Sequence, residues 1–364
     1  MISRREVLAA AAALSCGRYD PRIPSTASYD EVLAAVQATD FEFGGGLANH
    51  APMAAEALVA GGRGDRVAEW AERYALGRLM TLEAQPKLDA AARANALGVY
   101  EKRAAWTATY EAELQTTAPE ALIAREWTTL APGYFAAGWH GVLRTAHALR
   151  ALARGDTPER RRELAQGLAF WAARFERLPG EPGSAPQAGL DVVSALKAVP
   201  LVPVSERKKG LIREQLAPLQ QRPEFATAVA KVDLDAQSFD VALAALASAA
   251  ARVFAHGGGK DIVLLHGITG TVALRQLAPL LDATQRRDSL GRAFHAVAAA
   301  YAVLGGGPAH LEPVEPAKSS ASSLLERGLE DDDEHSIKLA EACIREHAVS
   351  GAPELLLALE RWLA

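Results

Sequence analysis

The chain of 364 residues is long enough to bury a large core, and 49% hydrophobic with 23% charged residues is the balance of a globular protein rather than a disordered or fibrous one. A formal net charge of -5, with Lys and Arg scattered and no basic run interleaved with aromatics, argues against a nucleic-acid face. The two cysteines, Cys16 and Cys343, form no CxxC pattern, so structural zinc is not expected, and a disulfide joining the N-terminus to a late helix is not expected either.

Ser3-Arg4-Arg5-Glu6-Val7-Leu8 and the short apolar stretch after it have the form of a twin-arginine export signal, with Ala13-Leu14-Ser15 as a cleavage site. The same residues also suit an ordinary amphipathic helix, so the protein is expected either in the cytoplasm or exported. Residues 1–28 are read as an N-terminal segment ending in a linker marked by Gly17, Pro21 and Pro24, and residues 29–364 as one domain. Alanine and leucine dominate and alternating β-type patterns are nearly absent, which predicts a mainly α fold, a single large helical domain with a buried cavity. No apolar run is read as long enough to span a bilayer.

Ser28-Tyr29-Asp30-Glu31 is a capping box, and Val32, Leu33 and Val36 behind it form an apolar stripe; this helix is expected to stop near Asp40, before a Gly44-Gly45-Gly46 turn. Pro52 suits the first turn of the next helix, through Met53, Ala57 and Leu58, which places His50 at its N-terminal end. Asp156-Thr157-Pro158-Glu159 starts another helix, carrying Leu164, Leu168 and Trp171. Residues 178–187 are a Gly/Pro-rich loop, and Pro200, Pro203 and Pro218 mark a second irregular stretch. Residues 239–256 form a strongly apolar helix ended by Gly257-Gly258-Gly259, and Val272, Leu274, Leu277 and Leu281 repeat at helical spacing. Gly305-Gly306-Gly307-Pro308 breaks the chain, residues 309–323 are expected extended or coiled, and two last helices cover about 334–348 and 353–364.

Four histidines in separate segments are the main chemical signal: Asn49-His50-Ala51-Pro52, Gly138-Trp139-His140-Gly141, Leu265-His266-Gly267-Ile268 and Asp333-Glu334-His335-Ser336. Each is flanked by small, apolar or turn-forming residues, and together they suggest one buried metal centre; neutral imidazole suits Fe, Zn, Cu or Ni. His335 and Lys338 are three apart on a helix, on neighbouring parts of one face. An ammonium repels a metal, so Lys338 ligates only with a depressed pKa or after CO2 converts it to a carbamate, an anionic ligand that four imidazoles lack. Asp331-Asp332-Asp333-Glu334 is read as a helix N-terminus rather than a hard-cation site, with one carboxylate orienting His335 or a neighbouring imidazole. Arg144 and His147 follow His140 at i+4 and i+7, and either line the same cavity or face a neighbouring helix.

Competing sites are weak. His256-Gly257-Gly258-Gly259 and Leu265-His266-Gly267 resemble oxyanion segments of α/β-hydrolases, but Arg287-Asp288-Ser289-Leu290-Gly291 lacks the first glycine of a nucleophile elbow. Gly259-Lys260-Asp261 is no P-loop, and no dinucleotide fingerprint follows a strand. His310-Leu311-Glu312 lacks the β-sandwich setting of a facial triad, and paired Glu-x-x-His motifs of a di-iron bundle are absent.

The blocks Tyr29-Asp30-Glu31-Val32-Leu33 through Asn49-His50-Ala51-Pro52-Met53-Ala54-Ala55-Glu56-Ala57-Leu58, then Trp139-His140-Gly141-Val142-Leu143-Arg144, Leu265-His266-Gly267-Ile268-Thr269 and Asp332-Asp333-Glu334-His335-Ser336-Ile337-Lys338, in this order, resemble the questin oxidase-like family. The resemblance implies an oxidoreductase, an oxygenase that opens an anthraquinone- or phenol-like aromatic ring. It implies Fe(II) held by His50, His140, His266, His335 and a carboxylated Lys338, with O2 and a small aromatic molecule as substrates. Arg144 is expected to steady a substrate oxygen, with Trp139 and Tyr134 packing on its ring. Two alternatives stay open: an NADPH-dependent Baeyer–Villiger-type monooxygenase with no intrinsic metal, and a non-catalytic helical binder of an apolar ligand.

Overall fold

The computed structural model describes residues 23–76 and 79–364. The expected export signal and Cys16 lie outside these residues; Cys343 is a buried free thiol. Among the described residues, seventeen α-helices and one two-stranded hairpin make the protein mainly α. In chain order they are α1 (Tyr29–Val36), β1 (Glu42–Phe43), β2 (Leu47–Ala48), α2 (Ala51–Ala60), α3 (Val67–Ala75), α4 (Ala90–Ala96), α5 (Arg103–Leu114), α6 (Pro119–Leu130), α7 (His140–Arg154), α8 (Pro158–Ala173), α9 (Val192–Lys197), α10 (Ile212–Leu216), α11 (Pro223–Ala230), α12 (Phe239–His256), α13 (Ile262–Leu277), α14 (Ala283–Leu304), α15 (Ala321–Glu330), α16 (Glu334–Ser350) and α17 (Pro353–Leu363).

Local chemistry explains the starts. Ser28 and Glu31 form the reciprocal capping box of α1, Thr157 accepts from the Arg160 amide to open α8, and Asp333 accepts from the His335 amide to open α16. Three expectations need correction. Helix α1 ends at Val36, with Gln37 as its C-cap, rather than near Asp40, whose carboxylate accepts from Arg103 and Tyr100. Leu281 falls beyond α13, after a 3-10 turn over Ala278–Leu280. Residues 309–323 are not wholly irregular: a 3-10 turn covers Pro308–Leu311, and α15, capped by Ser320, begins at Ala321. The reading of membrane length is also corrected. Helix α12, with 18 residues and a mean hydropathy of 1.3, is long and apolar enough to cross a bilayer by those measures. Here it packs against α13, α14 and α17, and buries Leu243, Leu246, Val253 and Phe254 in the core.

Four helices make a closed ring of contacts: α2 packs on α7, α7 on α13, α13 on α16, and α16 back on α2. This ring lies on the seam between two hydrophobic clusters. Ala51, Ala54 and Ile337 belong to the cluster built with α1 and α3, whereas Met53, Leu339 and Ala340 belong to the larger one. A polar group placed inside the ring is thus shielded from water on both sides without interrupting either apolar cluster.

Candidate metal centre

Each helix of the ring carries one of the four histidines near its N-terminal end: His50 is the N-cap of α2, His140 the first residue of α7, His266 the fifth of α13 and His335 the second of α16. All four are buried, as is Lys338, 3% exposed. His50 Nε2 lies 2.8 Å from His140 Nε2, His266 Nε2 lies 3.1 Å from His140 Nε2, and Lys338 Nζ lies 2.9 Å from His50 Nδ1. One ring nitrogen from each of His50, His266 and His335 falls within 4.8 Å of the others. The structure therefore brings together all five residues singled out by the sequence.

The backbone around each ligand is built to aim it. Asn49 accepts from the Ala51 amide at 3.0 Å and donates to Thr39 Oγ1 at 2.9 Å, so it does the capping and leaves the His50 ring free to turn inward; the His50 amide donates to the Tyr74 hydroxyl at 2.9 Å. His140 follows three residues in the left-handed region: Ala137 (φ 53°), Gly138 (φ 63°) and Trp139 (φ 69°). Ala137 and Trp139 are the only non-glycine residues with positive φ among the described residues. Such conformations cost of the order of 1–3 kcal/mol each and concentrate at functional sites. The turn delivers the Ala137 carbonyl to His140 Nδ1, at 2.5 Å. Gly138 is required there, since a Cβ would lie 2.8 Å from Ile212 as well as demand positive φ.

These second contacts decide which nitrogen faces inward. His140 Nδ1 donates to the Ala137 carbonyl, His266 Nδ1 to the Ile262 carbonyl at 2.7 Å, and His335 Nδ1 to Asp333 Oδ1 at 3.2 Å. In a neutral imidazole the other nitrogen, Nε2, then carries the lone pair. Asp333 thus does what was expected of one acidic residue in its run. Lys338 donates to His50 Nδ1, and His50 donates from Nε2 to His140 Nε2. The remaining contact, between His140 Nε2 and His266 Nε2, has a lone pair on each side and no proton to share.

Protonating the rings does not resolve this. Burial, reinforced by Lys338 and the neighbouring imidazoles, holds His50 and His266 well below the ordinary imidazole range; burial takes His140 down to about 3. Burial also lowers Lys338 to about 8, against the opposing pull of Glu334 and Asp333. The N-terminal ends of α2, α7 and α16 point their positive dipole ends at the same spot, which favours an anion there and disfavours a free proton. Converging imidazole lone pairs anchored through their far nitrogens are the donor set of a transition metal. The residues fit such an ion, and the helix ends fit an anionic ligand beside it.

The two residues expected to meet substrate have other partners. Arg144 is buried and turned toward α8, where Glu163 binds Nε at 2.6 Å and Nη2 at 2.9 Å and Gln166 binds Nη2 at 2.6 Å; only Nη1 lacks a partner. The open choice between cavity and neighbouring helix is thus resolved for Arg144 as the helix. Trp139 is 0% exposed; its ring packs on Phe135 at 4.8 Å and on α13 so tightly that a Cβ on Gly270 would lie 2.3 Å from it. Tyr134 is buried and donates to the Gly270 carbonyl at 2.8 Å. His147 differs: it lines a small cavity that also touches Lys338.

Sequence reasoning missed three groups around the centre. Trp362, on the last helix, sits 6.2 Å from the His335 ring and donates to Ser336 Oγ at 2.8 Å. Glu56 binds His147 Nδ1 at 2.6 Å and Arg154 at 2.6 Å and also holds Arg150, which Glu341 shares. Gly267, beside His266, is buried, yet a Cβ there would meet nothing within 4 Å. Only Glu56 had a signal: a charge inside the apolar run of α2. His256 and His310 stack on each other 5.4 Å apart, apart from the four central rings, and His310 adds no ligand to them.

No protein-family model matches the chain, and no curated protein matches it at a significant level.

Proposed function

We propose that this protein is a metal-dependent oxidoreductase of the questin oxidase-like kind, with iron held by His50, His140, His266, His335 and a carboxylated Lys338, acting with O2 on an aromatic substrate of the anthraquinone or phenol class. The observation that carries this reading is the pair of lone-pair nitrogens of His140 and His266 at 3.1 Å, which a cation between the rings would relieve. Iron would supply the redox chemistry toward O2 that side chains lack. The protein's own part is to hold the rings, exclude water and place charge. Ala137, Ile262 and Asp333 fix the tautomers; the two hydrophobic clusters keep the site dry. The Lys338 amine, drawn down by burial, has the neutral form that adds to CO2: its nitrogen bonds the carbon, a proton leaves, and the resulting carbamate brings one negative charge to the three helix ends. A reading without a metal leaves the facing lone pairs unrelieved, which disfavours both the metal-free monooxygenase and the non-catalytic binder.

The test is metal analysis of protein purified aerobically. The expected result is near-stoichiometric iron that is lost in His335→Ala and His266→Leu and retained in His256→Ala, whose ring lies outside the centre. Absence of a transition metal, or equal metal in the central variants, overturns the reading.

A further inference from the structure

The cavity that touches Lys338 has a regular construction. Counting from the histidine on each helix, it is lined at +3 by Leu143, Thr269 and Lys338, at +7 by His147, Ala273 and Ala342, and at +10 by Arg150, Gln276 and Arg345. The same three offsets on α7, α13 and α16 mean that these helices run side by side away from the centre, each presenting one face to a common axis. The inner and middle layers are buried, and the outer layer is partly open to solvent. The space between these faces is small, with room for about one water molecule. It exists because the middle layer has alanine on two of its three helices.

We propose that this axis is an entry port through which small uncharged molecules no wider than water, of the class of dioxygen or carbon dioxide, reach Lys338 and the centre. An aromatic substrate is too large for it and enters elsewhere. Charge is excluded for a physical reason. At the mouth Arg150 is held by Glu56 and Glu341, and Arg345 by Glu341 at 2.8 Å, so an entering ion of either sign meets both a like charge and a fixed pair. Further in, Leu143, Ala273 and Ala342 are apolar and only His147 and Thr269 are polar before Lys338, too few groups to replace the hydration shell of an ion. The use of the port rests on the metal-centre reading; its opening onto Lys338 does not.

The experiment uses metal-free protein and potassium cyanate at near-neutral pH. Isocyanic acid is linear and uncharged, like carbon dioxide. It adds to an amine by forming one N–C bond while the amine proton passes to its own nitrogen, giving a urea with nothing released. Mass spectrometry follows modification of Lys338 against the exposed Lys87 and Lys231 as internal references. Lys338 is expected to react in the wild type, and Ala273→Leu and Ala342→Leu, which fill the middle layer, are expected to slow it at least tenfold while the two references are unchanged. Ala273→Val serves if either leucine variant fails to fold by circular dichroism. Equal Lys338 rates in wild type and filled variants, or an unreactive Lys338 in wild type, overturn the port. Metal content of the same variants is read separately: iron without gated labelling keeps the centre and removes the port, and gated labelling without iron does the reverse.

Discussion

Around Glu56, buried charges face opposite charges; around His140, two turns before Glu56's partner His147 on α7, nitrogen lone pairs face each other. Glu56 is 0% exposed and binds His147, Arg150 and Arg154, while Glu341 shares Arg150 and takes Arg345. Burial by itself would raise the Glu56 carboxyl, but the guanidiniums and the His147 hydrogen bond overcome it and hold the group well below the usual carboxylate range. That cluster pairs nearly all of its charge, with Arg345 Nη1 the buried nitrogen left without a partner. The histidine cluster has the same depth and shares those supporting helices, but His140 Nε2 and His266 Nε2 face each other at 3.1 Å with no proton between them. One set of helices therefore contains a cluster of paired charges and a cluster of facing lone pairs, and the difference lies in whether the polar atoms satisfy one another.

The largest expected effect breaks the paired cluster. Glu56→Gln removes the carboxylate from Arg154 and leaves Arg150 with Glu341 alone, and should destabilise the fold by about 3–5 kcal/mol, read from the urea midpoint of metal-free protein. His266→Leu in the same metal-free protein should change stability by no more than about 1 kcal/mol, since its Nδ1 partner, the Ile262 carbonyl, already sits in a helix and the lost nitrogen faced another lone pair. If His266→Leu were as damaging as Glu56→Gln, the contrast between the clusters would collapse.

A smaller effect is pH dependence. The folded value of His140 is depressed from 6.5 to about 3, so between those values the unfolded chain binds the proton and the folded one does not. Stability of metal-free protein should therefore fall as pH drops from 6.5 toward 3, and His50 and His266 act in the same direction. Lys338 is depressed from 10.5 to about 8, so its contribution is a penalty present in full below 8 and relieved as pH rises from 8 to 10.5. Denaturant midpoints across pH 4 to about 10 check both arms, and Lys338→Met should flatten the alkaline one. A profile flat below 6.5 would mean the histidines are not buried neutral.

The smallest expected effect concerns the strained turn. Ala137→Gly removes a side chain from a left-handed residue (φ 53°) and should raise stability by about 0.5–1 kcal/mol with unchanged metal uptake. Loss of metal in this variant would show that rigidity at Ala137 aims His140.

Local signals carried much of the fold. The capping box at Ser28, Pro52, Thr157-Pro158 and the glycines after His256 mark helix ends because caps and turns depend on a few adjacent residues. Helix α15 was missed although Leu324, Leu325 and Leu329 share a face, because Pro308, Pro313 and Pro316 before it read as coil. At the site, residue types pointed to His50, His140, His266, His335 and Lys338, whereas the roles expected of Arg144 and Trp139 rested on proximity in sequence. Proximity does not say which way a helical side chain turns, and here one faces α8 and the other α13.

The sequence by itself determined helical class, several helix starts and a set of imidazoles that could hold a metal, since propensity, capping and donor chemistry are properties of short segments. The tertiary structure alone decided that the four histidines meet inside one ring of helices, that the inward nitrogens of His140, His266 and His335 are the lone-pair ones, and that equal offsets on three helices line a small cavity at Lys338. Those facts depend on how distant helices pack and on which carbonyl or carboxylate each ring finds, and no local pattern encodes them.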